Sequence, residues 1–210
     1  MGMITLLFNH PVLFVILVVL LLYSIIFHEV AHGWVAYLFG DPTAKQSGRL
    51  TFHPAPHFDL VGTVMLFVVG FGWARPVPVN YARLSHTRLG LFCVALAGCA
   101  ANILIAMAGI FLLQLEIVRT YSLLVTVLAI LVKINVVLGA LNLIPIPPLD
   151  GSKILRSVLP VGAQAVFARV EPYGFPLLIL LLFTGLLNPM IVGMQNWIYR
   201  FIAFIFGWMK

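Results

Sequence analysis

PVLFVILVVLLLYSIIFHEVAHGWVAYLF, residues 11–39, decides how the rest of the chain is read. Proline stands at its head and Gly40-Asp41-Pro42 stops it. As a helix its roughly 29 residues reach about 43 Å, more than the ~30 Å hydrocarbon core of a bilayer. The segment is therefore a membrane span that tilts or protrudes. It is too long for a signal peptide, with no Lys or Arg before it and no A-x-A-like site after it, and is expected to stay in place as a span.

Composition says the same of the whole chain. Of 210 residues, 62% are hydrophobic and only 9% charged, with a mean hydropathy of +1.12. Soluble domains carry about 25% charge, so this chain lacks the polar groups to cover a wetted surface. The net charge of +6 does not point to nucleic acid, because no basic cluster with interleaved aromatics occurs. Basic residues gather instead in loops, as they do on the cytoplasmic side of membrane proteins. Cys93 and Cys99 fall within one apolar run and read as reduced packing residues.

Further spans are expected at 89–114 and 121–143, separated by a tight turn with Glu116 and Arg119. Residues 60–73 (LVGTVMLFVVGFGW) are apolar but short, interrupted by Gly62, Gly70 and Gly72, and rich in residues that favour extended chain. They read as a re-entrant or β-like segment, continued by extended ARPVPVN. A polar connection with short amphipathic helices follows Asp150, and 175–187 with 190–208 form a helical hairpin broken at Asn188-Pro189. Lys45, Arg49, Arg75, Arg83, Arg88, Lys153, Arg156 and Arg169 follow the first and third spans, against Arg119 alone on the other side. That bias places the C-terminal ends of those spans at the cytoplasm and the N-terminus outside.

His28-Glu29-Val30-Ala31-His32 is H-E-x-x-H. On a helix, residues four apart share a face, so both imidazoles can hold one ion while the glutamate serves bound water. The motif lies about 25 Å along the first span, within the membrane, where an ionisable cluster is costly unless it has a function. Zinc needs a third protein ligand and an open position. Asp41, Asp59 and Glu171 are loop residues near basic partners. Asp150 fits best, at the end of the third span after Pro145, Pro147 and Pro148, which force unwound backbone at membrane depth.

With Asn142-Leu-Ile-Pro-Ile-Pro-Pro-Leu-Asp150-Gly151 following, the chain resembles the site-2 protease family of intramembrane zinc metalloproteases. Gly48-Arg-Leu-Thr51, the run from Pro54 to Asp59, and Phe71 to Asn80 are similar to its compact prokaryotic branch without a PDZ domain. The resemblance covers about residues 15–155. It implies one Zn²⁺ held by His28, His32 and Asp150, with Glu29 as general base and acid. It also implies Asn142 near the zinc as a stabiliser of the oxyanion, where the residues alone allow a helix-packing hydrogen bond equally well. The family has G-P-x-x-N where this chain has Gly98-Cys99-Ala-Ala-Asn102, so Cys99 replaces a kinking proline, and Asn102 is placed towards the cavity.

The expected fold is thus an all-α polytopic membrane protein in one domain, 1–210. A three-helix catalytic core (about 11–155) carries the re-entrant, β-like segment, and a C-terminal helical hairpin occupies about 175–208. The expected reaction is hydrolysis of a peptide bond in or beside a substrate's transmembrane segment, in a multi-pass protein of the cell membrane, as in release of a membrane-held regulator. The partners are a membrane protein or peptide and the lipid bilayer. Residues 61–79 are expected to hold the unwound substrate by strand addition. A zinc protease acting on loops would take a glutamate as third ligand, but of the two later glutamates Glu116 lies in the turn on the opposite side and Glu171 sits in a Val-Glu-Pro turn. A metal transporter or inactive scaffold would have no need of Glu29. His53 and His57 read as solvated or hydrogen-bonded, and Lys133 as facing the interior or a water cavity.

Overall fold

The computed structural model describes residues 3–69 and 72–208 and contains no strand among them. Four helical stretches are long and apolar enough to cross a bilayer: Pro11–Leu38, Thr87–Gln114, Ser122–Asn142 and Gly162–Phe183. The protein is an all-α, multi-pass membrane protein. The principal helices are α1 (Met3–Asn9), α2 (Pro11–Leu38), α3 (Leu60–Val69), α4 (Thr87–Gln114), α5 (Ser122–Asn142), α6 (Asp150–Val158), α7 (Val161–Val170), α8 (Gly174–Phe183) and α9 (Asn188–Ile205).

Helices α2, α4 and α5 pack against one another and form the core. Close approach is possible because α4 presents a stripe of small residues at helical spacing. At Gly109 an added Cβ would lie 2.7 Å from Val132 Cγ2, so α5 crosses where no side chain intervenes. Below that crossing, Ala106, Val132, Val136, Ala140, Ile198 and Ile202 form a fully apolar cluster joining α4, α5 and α9. The face of α2 turned inward is different. Ser24, His28 and His32 follow one another four residues apart and are all buried, a polar seam inside an apolar bundle.

The segment expected to be extended from residue 60 is helical as far as Val69. An isolated strand in hydrocarbon leaves its N–H and C=O groups unpaired, whereas a helix satisfies them within itself. Asp59 starts the helix: its Oδ1 accepts from Gly62 N–H at 2.7 Å and its carbonyl from the Thr63 hydroxyl at 2.7 Å. At 10 residues, about 15 Å, α3 is too short to span, and the β-like character expected of it is not observed. Its tip approaches α2, with Phe67 and Phe14 ring centroids 5.8 Å apart. Gly62 and Gly72 are explained by crossing rather than extension, since a Cβ at Gly62 would strike the Trp73 carbonyl. Gly70 and Phe71 lie outside the described residues.

The C-terminal pair also breaks differently. Asn188-Pro189 opens α9, proline being tolerated in a first turn, and the break falls before it, with Gly185 at φ +72°. The two helices seat on different partners. Leu178 of α8 packs with Ile144, Leu149 and Leu187, while α9 lies along α5. Lys133 is exposed on the outer surface of α5 and does not face the interior. Cys93 and Cys99 are unpaired, Cys99 fully buried.

Candidate metal centre

His28 and His32 point from α2 to one spot, and the end of α5 delivers the third group. After Asn142 the chain unwinds through Ile144–Pro148 and restarts at Leu149, so that Asp150 is the first residue of α6. A carboxylate in a first helical turn faces unpaired N–H groups and is favoured there. Gly151 is required by what α6 rests on: a Cβ would lie 2.5 Å from the Ile144 carbonyl oxygen and closer still to that of Leu143.

Asp150 Oδ2 stands 3.0 Å from His28 Nε2 and 3.0 Å from His32 Nε2, and the two Nε2 atoms are 3.1 Å apart. The remaining hydrogen bonds define what those atoms carry. His32 Nδ1 lies 2.6 Å from the Val94 carbonyl, which can only accept, so Nδ1 bears a proton and, in the neutral ring that binds metal, Nε2 carries the lone pair. Asn102 Nδ2 donates to Asn135 Oδ1 at 2.8 Å and towards the Ser24 carbonyl at 3.4 Å, which turns its Oδ1 to His28 Nδ1 at 2.6 Å. His28 Nδ1 is therefore also the protonated nitrogen. Asn135 Nδ2 completes the chain on Ser24 Oγ and the Leu131 carbonyl.

Three acceptors thus converge, two imidazole lone pairs and a carboxylate oxygen, all buried. Such a set repels itself unless a cation sits among them. Zn–N and Zn–O bonds of about 2.0–2.1 Å at tetrahedral angles put ligand atoms roughly 3.3 Å apart, close to the triangle observed. Both imidazoles are held by their second nitrogen, the arrangement that orients metal-binding histidines. The residues fit a zinc ion, for which three protein ligands would leave the fourth position to water or substrate. Asp150 Oδ1 is turned outward and receives Lys153 Nζ at 3.0 Å.

Glu29, half-buried beside the triad, accepts a hydrogen bond from Val77 N–H at 2.8 Å through Oε2. The extended segment expected after residue 73 is there, but it is not a free edge. Arg75 N–H donates to the His57 carbonyl, Val77 N–H to Glu29 and Asn80 N–H to Asp41 Oδ2. Pro76 and Pro78 have no N–H to offer. Strand addition along 61–79 therefore lacks its strand before Val69, and at 75–78 it finds two N–H groups already engaged and two prolines.

Asn142, read as an oxyanion donor, gives its amide to the Leu138 carbonyl of its own helix at 3.1 Å. The asparagine in contact with the triad is Asn102. His53 and His57 form no metal pair: His57 Nε2 bonds the Thr51 carbonyl and His53 Nδ1 accepts from Ala55 N–H. Asp41 serves Thr43 and Asn80, Asp59 caps α3, and Glu171 pairs with Arg156, so none of the other acids competes as a ligand. Reading the sequence alone missed Lys153 as the brace of Asp150, Val77 as the anchor of Glu29, and Gly98. A Cβ at Gly98 would lie 2.5 and 2.6 Å from His28 Cε1 and Nε2, and would also strike His32 Nε2. The signal was available in Gly98 and Asn102, four apart on one face of α4.

A profile of peptidase family M50 matches residues 116–185. The provisionally named zinc metalloprotease YwhC of Bacillus subtilis is 40% identical over 201 residues, covering 90% of this chain and 92% of its own. The chain belongs to the site-2 protease family. Its similarity to the provisionally named zinc metalloprotease Rip2 of Mycolicibacterium smegmatis is lower, 29% over 193 residues, 90% of this chain and 74% of that one. No solved structure matches. As a site-2-type zinc metalloprotease, the protein is an enzyme with a zinc requirement, and the His28, His32 and Asp150 cluster is the arrangement in its described residues able to meet it.

Proposed function

We propose that this enzyme cuts peptide bonds within or next to the transmembrane segments of other membrane proteins, with one Zn²⁺ held by His28, His32 and Asp150. The observation that carries the reading is the convergence of two imidazole Nε2 atoms and a carboxylate oxygen, each side chain tethered from behind, between helices long and apolar enough to cross a bilayer. Zinc bound there supplies Lewis acidity, lowering the pKa of water towards neutrality and polarising a carbonyl. Glu29 takes the proton from the attacking water and passes it to the leaving amine. Its Oε2 is anchored by Val77 N–H, which leaves Oε1 for that traffic. Lys153 keeps the second oxygen of Asp150 out of the cluster, and Asn102 and Val94 keep both imidazoles in the ligating tautomer.

A helical substrate must unwind before its carbonyls can be reached, because helical hydrogen bonds shield them. Asn142 would serve the oxyanion only by releasing the Leu138 carbonyl. The bias of basic residues in the loops supports an active site towards the cytoplasm with the N-terminus outside, and release of a membrane-held regulator is the proposed biological outcome. The test is Glu29→Gln in a reconstituted bilayer with a single-span reporter substrate. Zinc content should be unchanged and cleavage abolished. Cleavage at the wild-type rate would remove Glu29 from the mechanism.

A further inference from the structure

The polar loop after α2 contains a buried arginine that makes no ion pair among the described residues. Arg49 is only 7% exposed. Its Nη2 donates to the carbonyl oxygens of Arg75 and Pro76 at 2.5 and 3.2 Å, and its Nε is buried without a partner. Burial first, and then the neighbouring charge of Arg75, hold its pKa below the ordinary arginine value. A guanidinium titrates so high that Arg49 keeps its charge all the same. Arg75 is exposed and makes no ion pair among the described residues.

The acids are committed elsewhere. Asp41, Asp59, Asp150 and Glu171 have the partners given above. Glu29 is near enough to act on Arg49 but is bonded to Val77 N–H. Glu116 sits in the turn between α4 and α5. Between the two arginines opens a cleft of about 380 Å³ lined by Ser47, Arg49, Pro56, Arg75, Pro76 and Pro78. That lies at the small end of the ~300–1,000 Å³ typical of ligand clefts. The prolines contribute no N–H, and the Ser47 hydroxyl is given to the Thr43 carbonyl, so the guanidinium groups are the cleft's strong donors.

We propose that Arg49 and Arg75 bind the phosphate group of an anionic phospholipid headgroup. The guanidinium fork matches phosphate oxygens, and lipid phosphate is the abundant anion where a basic loop meets a bilayer. The same segment turns apolar rings outward. Phe52 and Phe58 are exposed, and Phe52 packs on Phe27 of α2 with centroids 4.6 Å apart, so the loop runs alongside the membrane-embedded helix next to His28. A headgroup seated there compensates the buried charge. It also tightens the brace on Arg75 and Pro76, the residues just before the N–H that anchors Glu29. The proposal does not depend on proteolysis.

The test counts lipid rather than cleavage. Delipidated protein in detergent is titrated with phosphatidylglycerol or phosphatidylcholine, and retained lipid is read by native mass spectrometry. One phosphatidylglycerol should be held about tenfold more tightly than phosphatidylcholine, whose choline opposes the arginines. Arg75→Gln, at an exposed and unpaired side chain, should weaken that retention about fivefold without lowering the melting temperature, and Arg75→Lys should restore most of it. Inorganic phosphate at tens of millimolar should leave the lipid in place. Equal retention of the two lipids, or an Arg75→Gln protein that binds as the wild type does, overturns the proposal. Displacement by inorganic phosphate overturns the lipid as the source and assigns the cleft to free phosphate.

Discussion

Gly98→Ala is the smallest change that should disable the metal centre. The added methyl would lie 2.5 and 2.6 Å from His28 Cε1 and Nε2 and would also meet His32 Nε2. Ordinary contacts between such atoms are about 3.5–4.0 Å, so the rings or the helix must yield by about 1 Å. Neither ring can turn away cheaply, because each is tied through Nδ1 by a bond of 2.6 Å. Metal sites tolerate about 0.2 Å in ligand distance. Loss of a ligand's orientation alone costs roughly 10–100-fold in affinity, and here the ligating atoms themselves are displaced, so about 100-fold is expected. Stability should change little: overpacking costs about 1–3 kcal/mol, and replacing a helical glycine by alanine returns up to about 1 kcal/mol. The assay is zinc affinity by competition with a chromophoric chelator, alongside thermal melting in detergent. Gly139→Ala is the control, since its Cβ would meet neighbours at 3.6 Å, an ordinary contact, and should leave zinc binding untouched. A Gly98→Ala protein with wild-type zinc affinity would refute the packing argument.

Three further outcomes are expected. Asn102→Leu removes the acceptor that fixes the His28 tautomer and strands Asn135, and should lower zinc affinity by about 10–100-fold, while Asn102→Asp keeps an acceptor and loses less; the chelator competition reads both. Burial pushes the Asp41 carboxyl upward, but the Thr43 hydroxyl and the Asn80 and Thr43 N–H groups hold its pKa below the ordinary value. Its contribution to stability is therefore complete above the unfolded pKa of about 3.9 and is lost as pH falls through the lower folded value. Melting temperature against pH should fall less steeply on the acid side in Asp41→Asn than in the wild type, and parallel curves would count against the linkage. Lys133 is exposed mid-helix with no partner among the described residues, where a charge facing lipid costs about 2.5–3.5 kcal/mol before snorkelling relieves it. Lys133→Leu should raise the melting temperature in bicelles and leave zinc binding unchanged, whereas a loss of stability would place a hidden partner there.

By itself the sequence determined what periodicity and solvent dictate. Length and hydropathy fix the spans of α2, α4 and α5 to within a few residues, because a helix in hydrocarbon must be about as long as the hydrocarbon is thick. His28 and His32 share a face because they are four apart, and Pro145 to Pro148 unwind the chain before Asp150 because proline removes donors. These are local constraints, readable one segment at a time. Tertiary structure decided whatever depends on which segments meet. Residues 60–69 carry extended-chain propensities yet are helical, since no partner strand lies alongside among the described residues and unpaired backbone is costlier than a weak propensity. Asn102 rather than Asn142 touches a ligand because the helices cross at Gly98, and no sequence spacing reports a crossing point. Lys133 faces outward because the inward positions of α5 are filled by Val132, Asn135 and Val136. Arg49 is buried without an ion pair among the described residues because the loop folds back beneath Arg75 and Pro76, 26 and 27 residues further along the chain. Such contacts are set by packing between distant segments.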